Sequence, residues 1–197
     1  MNGNRRLKNL VLLAGIVVSG LTLLTWTGQW FILRLAASGS GRSIIAVTGD
    51  VAAPGLIALA LAGLALVAAL AIAGPVFRVI LGVLQALIGV TVALSSVLAI
   101  ADPVGASSTA VTTATGVSGK ASVAALVVSV SQTVWPWIAA VVGLLTIALG
   151  IVVLVSFRRW PGSSRRYQPV RFEAEQPGAN PVSDWDTLSG GSDPTSR

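Results

Sequence analysis

The chain has 197 residues, of which 54% are hydrophobic and only 10% are charged, with a formal net charge of +6. A soluble domain usually carries about 25% charged residues because its surface faces water, so this composition excludes an ordinary soluble globular protein. The chain has no cysteine and no histidine, which excludes disulfides, thiolate or imidazole metal sites, and catalysis by a thiol or imidazole side chain.

The hydropathy pattern predicts an all-α integral membrane protein, a four-helix transmembrane bundle with both termini in the cytoplasm and a disordered C-terminal tail. Uncharged apolar segments of about 18 residues or more are typical of membrane-spanning helices. The predicted segments are a cytoplasmic N-terminus at 1–9, a first span at 10–33, an outer loop at 34–53, a second span at 54–74, a cytoplasmic turn at 75–78, a third span at 79–100, an outer loop at 101–136, a fourth span at 137–157 and the cytoplasmic tail at 158–197.

The first apolar segment has two interpretations, since a basic start followed by an apolar run is also typical of a cleavable signal peptide. The run is long for a signal core, and Leu35–Ala37 lacks the small-residue pattern of a good cleavage site. Trp26 and Trp30 fit interfacial anchors at the outer end of a retained helix. The sequence therefore favours a retained first span.

The two outer loops contain further predicted structure. Residues 43–48 are rich in β-branched residues and predict an extended segment on the outer surface. Residues 121–132 are predicted to form a helical extension of the fourth span or a helix lying on the outer surface, with Pro136 as the bend between them. Trp135 and Trp137 would then mark the membrane interface.

The positions of lysine and arginine predict the orientation, because cytoplasmic loops carry an excess of these residues. With the N-terminus inside, nine basic residues lie on the inner side, and these are Arg5, Arg6, Lys8, Arg78, Arg158, Arg159, Arg165, Arg166 and Arg171. Only Arg34, Arg42 and Lys120 lie on the outer side. This distribution also argues against a nucleic-acid interface, because the charges follow the membrane ends and form no basic face interleaved with aromatic residues.

The spans offer little for chemistry. Gln85 is the deepest strongly polar side chain, and it can be a substrate contact or, more simply, the partner in an interhelical hydrogen bond worth about 0.6 kcal/mol. Small residues recur at four-residue intervals and predict close packing of helices. These pairs are Gly82 with Ala86, Gly89 with Ala93, and Ala139 with Gly143. No phosphate loop, nucleophile elbow, metal-ligand spacing or catalytic carboxylate pair is evident, so no enzyme activity and no cofactor are expected.

The tail contains the candidate interaction residues. Asp184, Trp185, Asp186 and Leu188 place an aromatic and an aliphatic side chain in an acidic region, a pattern that fits a peptide docking onto a cytoplasmic protein, although an isolated tryptophan can also occur by chance. The arginines next to the fourth span are expected to contact anionic lipid headgroups. These arginines are Arg158, Arg159, Arg165 and Arg166.

Four sequence segments together resemble the tryptophan-biosynthesis-associated transmembrane protein family of actinobacteria. They are W-T-G-Q-W at 26–30, V-T-G at 47–49 followed by A-A-P at 52–54, R-R-W-P-G-S-S-R-R-Y at 158–167, and W-D-T-L-S-G-G-S-D-P-T at 185–195. The resemblance implies the same four-span fold and a link to tryptophan biosynthesis. It implies no catalytic residue.

We therefore expect a non-enzymatic plasma-membrane protein whose tail docks a cytoplasmic partner. The alternative is a small permease or accessory subunit for an aromatic metabolite. The bilayer is the expected surrounding, nucleic acid is not an expected partner, and the sequence leaves the oligomeric state open.

Overall fold

A computed structural model of the chain describes residues 2–36 and 44–156, all within the unit Met1–Gly162. The described part is mostly helical. Its helices are α1 (Asn2–Thr27), α2 (Gly49–Ala52), α3 (Leu56–Ile72), α4 (Pro75–Ala101), α5 (Pro103–Ala106), α6 (Ser108–Thr115), α7 (Lys120–Leu126) and α8 (Trp135–Ser156). Its strands are β1 (Gln29–Leu35), β2 (Ile44–Thr48) and β3 (Val127–Gln132).

Three helices in the described residues are long and apolar enough to cross a membrane, namely Arg6–Thr27, Pro75–Ala101 and Trp135–Ser156. Helix α3 is a shorter apolar helix of 17 residues. Large apolar side chains such as Phe77, Leu94 and Leu144 are more than half exposed on the outer faces of these helices. A water-soluble bundle would carry polar residues there, so the exposed faces fit a lipid environment.

The four apolar helices pack side by side, with α1 against α3 and α8, and α4 against α3 and α8. Neighbours run antiparallel, since Gly15 of α1 lies beside Val67 of α3 while Ser19 lies beside Gly63. At one end of the bundle, Val11, Leu70 and Val153 form a small apolar cluster. At the other end, the strands and short helices form a cap over the bundle.

The closest helix contact joins α4 to α8 and depends on glycine. A Cβ atom added to Gly89 would lie 2.5 Å from the backbone nitrogen of Ile147, and one added to Gly143 would lie 2.6 Å from that of Ala93. Only hydrogen fits in these positions, so the two backbones touch directly. The small-residue pairs of the two helices therefore lie at this contact, which is the geometry that such pairs permit in membranes.

The cap contains a three-stranded antiparallel sheet with the order β2-β1-β3. The central strand β1 is the most buried, with Trp30, Phe31 and Leu33 fully inaccessible. Trp30 donates its indole N–H to the carbonyl of Thr25 at 2.7 Å, which satisfies its polar atom and ties β1 to the end of α1. Val92, Ala99 and Ala139 belong to the same apolar cluster, so the cap and the upper bundle share one core.

The sheet corrects the prediction of an all-α fold and the boundaries of the first span. Helix α1 ends at Thr27, and the apolar residues 29–35 form β1, because this segment pairs on both edges and buries its side chains in the cap. Trp30 is therefore a core residue and not an interfacial anchor. The β-prone segment after residue 43 forms β2 over Ile44–Thr48, as its sequence predicts.

The second outer loop also differs from the prediction of one helical extension. Helix α7 ends at Leu126, and the alternating segment Val127–Gln132 pairs with β1 as strand β3. Pro136 lies in the first turn of α8 and makes no bend, because proline at that position loses no intrahelical hydrogen bond.

Two further boundaries concern the ends of the bundle. The predicted turn at 75–78 is the first turn of α4, since Pro75 begins that helix and only Ala73 and Gly74 separate it from α3. The predicted tail at 158–197 lies outside the described residues.

The α4–α8 contact generates a stability prediction. Gly89→Ala should lower the free energy of unfolding by about 1–3 kcal/mol, because the new methyl group overpacks a backbone contact. Gly20→Ala is the matched control, since nothing lies within 4 Å of its added Cβ atom and alanine is the better helix former by about 1 kcal/mol. Unfolding of both variants by denaturing detergent measures the difference, and equal loss of stability would contradict direct backbone contact at Gly89.

Candidate functional site

Three groups of polar side chains in the described residues lie at the end of the bundle opposite the cap, in the bundle interior, and in a cleft in the cap. Each place is a candidate for function. The three places differ in how deeply the polar side chains are buried and in the hydrogen bonds that they make.

The end of the bundle opposite the cap is basic. Lys8 donates a hydrogen bond to the backbone carbonyl of Ala71 at 2.7 Å, so it closes the C-terminal end of α3, where helix carbonyls lack intrahelical partners. Arg78 lies in the first turn of α4 and is only 2% exposed. The sequence placed Arg78 on the inner side of the membrane, in the predicted turn at 75–78, and the structure buries its side chain in the bundle.

The bundle interior contains Gln85, which is 5% exposed on the face of α4 that also carries Gly82 and Gly89. Its Nε2 atom has no hydrogen-bond partner among the described residues. The interhelical hydrogen bond that the simpler interpretation predicts is therefore not made by the amide nitrogen. Gln85 lies about 15 Å along α4 from Pro75, near the middle of the bundle.

Four buried hydroxyl groups of the bundle donate to their own helices. Thr22, Ser96, Thr146 and Ser156 each donate to the carbonyl four residues earlier, at 2.6–3.0 Å. A hydroxyl group that donates to its own helix has no hydrogen left for a ligand. Their hydrogen is satisfied within the helix, so these four side chains fit an apolar packing surface.

The cap contains a polar cleft with a volume of about 580 Å³, which opens between α5, α6 and α7. Asp102 and Lys120 lie across it with Nζ and Oδ2 3.0 Å apart, and both side chains are at least half exposed. Four residues with hydroxyl groups line the same wall, namely Ser108, Thr109, Thr112 and Thr113 of α6, and the hydroxyl of Thr113 donates to the carbonyl of Thr109 at 2.9 Å. The cleft thus presents one anion, one cation and several hydroxyl groups to the surrounding medium.

Asp102 connects two parts of the cleft, the start of α5 and Lys120. Its carboxylate accepts a hydrogen bond from the backbone N–H of Gly105 at 2.9 Å and so caps α5, whose first residue is Pro103. This backbone hydrogen bond, followed by the hydrogen bond from Lys120, lowers the pKa of Asp102 below its usual value. The carboxylate is therefore charged at neutral pH, and it serves the helix cap and the ion pair at once.

Sequence reasoning missed this cleft. It predicted an outer loop at 101–136 after the third span, with a helix only at 121–132. One signal was present, since aspartate followed directly by proline is typical of a helix N-cap with proline at the first helical position. The approach of Lys120 to Asp102 across 18 residues had no sequence signal.

The candidate tail residues Asp184, Trp185, Asp186 and Leu188 lie outside the described residues. So do Arg158, Arg159, Arg165 and Arg166, the candidate contacts for anionic lipid. Within 2–36 and 44–156, no group of three or more histidine, cysteine, aspartate or glutamate residues could hold a metal ion.

Comparison with known proteins gives one match. The family model described as tryptophan-associated transmembrane protein matches residues 10–195, which is nearly the whole chain and includes all four segments that carry the resemblance. Neither the curated proteins nor the solved structures give a match. The family resemblance is thereby confirmed, and the membrane character of the chain with it.

The double role of Asp102 predicts a pH dependence of the cap. Because its pKa is lowered in the folded state, the charged carboxylate stabilises the cap at pH values above the ordinary carboxyl pKa, which is about 4. This contribution is lost as the pH falls through the lowered value. Amide NMR of the protein in detergent should show the Gly105 signal titrating below pH 4, and Asp102→Asn, which keeps the capping oxygen, should abolish the transition. A Gly105 titration that persists in the variant would contradict this assignment.

Proposed function

This chain belongs to the family of tryptophan-associated transmembrane proteins, and on that premise we propose that it is a non-enzymatic, four-span protein of the plasma membrane associated with tryptophan biosynthesis. Both termini lie in the cytoplasm, and the cap lies outside. The protein acts as a scaffold that docks a cytoplasmic partner through its C-terminal tail.

The fourth span in this proposal is α3. Its 17 residues extend about 26 Å and carry no charge, and 17 residues is the lower limit for a membrane-spanning helix. Its first turn packs in the cap through Leu56, and its last turn meets Lys8 at the opposite end. Helix α3 therefore extends from one end of the bundle to the other. The helices beside it are longer and have the hydropathy of membrane spans.

Charge supports the orientation. At the end opposite the cap, the described ionisable side chains Arg6, Lys8 and Arg78 are all basic, and the following segment 158–171 adds more arginines in the sequence. In the cap, the described basic residues Arg34 and Lys120 are accompanied by Asp50 and Asp102, and the sequence adds Arg42 on this side. The excess of basic residues at one end is the pattern that places this end in the cytoplasm.

One observation carries the proposal of a scaffold without catalysis. One side of the bundle is closed by direct backbone contact between α4 and α8, and the buried hydroxyl groups of Thr22, Ser96, Thr146 and Ser156 donate to their own helices. Within the described residues, no general acid lies beside a general base or a nucleophile in a shielded cavity, which is the minimum that such chemistry requires.

A second candidate function rests on Gln85. A buried amide nitrogen without a partner costs free energy, about 1–3 kcal/mol, and polar groups inside membranes frequently mark substrate pathways. This residue favours the alternative of a small permease or accessory subunit for an aromatic metabolite, with Gln85 as a contact.

The topology can be tested directly because the chain has no cysteine, so each introduced cysteine is a unique label. We expect Thr113→Cys in the cap to react with a membrane-impermeant maleimide in intact cells. Ser163→Cys, after α8, should react only after the membrane is permeabilised. The reverse pattern would overturn the orientation, and labelling of both positions in intact cells would overturn the even number of spans.

The docking proposal predicts that Trp185→Ala reduces capture of a specific cytoplasmic protein by the full chain in isolated membranes, at least fivefold relative to the wild type. Trp160→Ala is the matched control, because it removes a tryptophan of the juxtamembrane segment and leaves the acidic motif intact. Quantitative mass spectrometry after crosslinking gives the measurement. Identical capture by the wild type and by Trp185→Ala would contradict the proposal that the tail docks a partner.

The permease alternative predicts that deletion of the gene changes uptake or efflux of labelled tryptophan or anthranilate, and that a Gln85→Leu variant fails to restore it. Immunoblotting of membranes confirms equal protein levels. Unchanged transport in the deletion strain would argue against this alternative and would leave the scaffold proposal intact.

A further inference from the structure

Two further cavities continue from the cap cleft along the side of the bundle where α3 meets α4. The second cavity has a volume of about 450 Å³ and lies between the start of α3, the end of α4 and α5. The third has a volume of about 510 Å³ and lies between the middle parts of α3 and α4. Asp102 lines both the cap cleft and the second cavity, so this residue lies between the two.

The second and third cavities lie on the same stripe of both helices. On α4, Thr91 lines the third cavity and Ser95 the second; on α3, Leu59 lines the third, and Gly55, at the N-cap of that helix, the second. Each pair is four residues apart, which places its members on one face about 6 Å from each other. The three cavities therefore follow one another along the same side of the bundle, and we name this row, about 27 Å along α4 from Asp102 to Leu84, the α3–α4 seam.

The chemistry of the seam changes along its length. Its cap end carries Asp102, Lys120 and the hydroxyl groups of α6. Its far end is lined almost entirely by alanine, leucine and isoleucine, and the hydroxyl of its one polar residue, Thr91, donates to the carbonyl of Leu87 at 3.0 Å. A charged and hydrogen-bonding end followed by a long apolar groove is complementary to an amphiphile.

Side-chain size explains why the seam is open. Toward this groove α3 presents Ala62, Ala65 and Ala69, whose side chains are too short to fill the space against α4. The opposite side of α4 is closed by its contact with α8. The groove faces the surroundings of the bundle, and around an integral membrane protein these are lipid chains.

The geometry points to one phospholipid with a primary-amine headgroup, of the phosphatidylethanolamine type, as the occupant of the α3–α4 seam. Lys120 meets the phosphate, Asp102 accepts hydrogen bonds from the ammonium group, and one acyl chain lies along the seam between α3 and α4. The seam is about 27 Å long, and one hydrocarbon leaflet is about half of 30 Å thick. The seam is therefore long enough to hold one acyl chain.

Charge selects this headgroup over its competitors. The ion pair of Asp102 with Lys120 is neutral overall, so a zwitterion matches both charges, whereas an anionic lipid would place its excess charge beside the carboxylate. Recognition of the quaternary ammonium of a choline lipid typically uses an aromatic cage, and no aromatic residue is among those lining the cap cleft in the described part of the chain.

The test uses the full chain, purified in a mild detergent and examined by native mass spectrometry with equal amounts of phosphatidylethanolamine, phosphatidylcholine and phosphatidylglycerol. We expect a single bound phosphatidylethanolamine with at least fivefold higher occupancy than either competitor. Lys120→Met and Asp102→Asn should each lower this occupancy at least fivefold, and the asparagine retains the oxygen that caps α5.

Ala65→Phe tests the position of the acyl chain. It fills the seam and should lower phosphatidylethanolamine occupancy at least fivefold, whereas Ala148→Phe, an equivalent change at an exposed alanine of α8, should leave it unchanged. Free phosphoethanolamine, added at the lipid's concentration, should not compete, because it lacks the chain.

Several results would overturn the proposal. Equal occupancy by all three lipids would mean nonspecific lipid around the bundle, and a preference for phosphatidylglycerol would mean simple attraction to Lys120. Full competition by phosphoethanolamine would identify the cap cleft alone as a site for a small zwitterion. If Ala65→Phe binds lipid as well as Ala148→Phe, the chain does not lie in the seam. The preference of the wild type decides the matter even where a variant fails to fold.

Discussion

The direct contact between the backbones of α4 and α8 is the interaction on which the rest of the fold depends. Gly89, Gly143 and Gly150 each lie so close to the facing helix that an added Cβ atom would meet its backbone. In a membrane no hydrophobic effect drives helices together, so close packing of this kind is a main source of stability. The contact fixes the two helices whose connecting chain builds most of the cap, including α5, α6, α7 and β3.

The tightness of this contact has a consequence on the other side of α4. The glycine stripe of α4 faces α8. Leu84 and Leu87 of α4 line the cavity toward α3, which presents alanine residues there. The bundle is therefore closed on one side and open on the other, and the open side ends at the ion pair of Asp102 with Lys120. One face of α4 thus packs against α8, and a different face of the same helix lines the α3–α4 seam.

The cap shows how a chain without cysteine can hold an ordered structure outside the bundle. Strand β1 follows α1 directly and pairs with a strand on each edge. Trp30 and Phe31 are fully buried in the core that the cap shares with the bundle. The sheet is therefore held in place by packing on the helices beneath it. Small extracellular domains more often use disulfides for this purpose.

Composition and hydropathy by themselves determined that this is a membrane protein with several apolar helices, an excess of basic residues at one end and small residues where α4 and α8 meet. These features follow from local composition and spacing, and the family segments are equally visible in the sequence. Tertiary structure alone decided that residues 29–35 leave the helix, because an apolar run looks the same as a span or as a buried central strand, and only pairing on both edges separates the two. It also decided that Lys120 meets Asp102 and that the Gln85 amide nitrogen faces no partner among the described residues, because such encounters depend on how distant segments pack and not on the residues beside them.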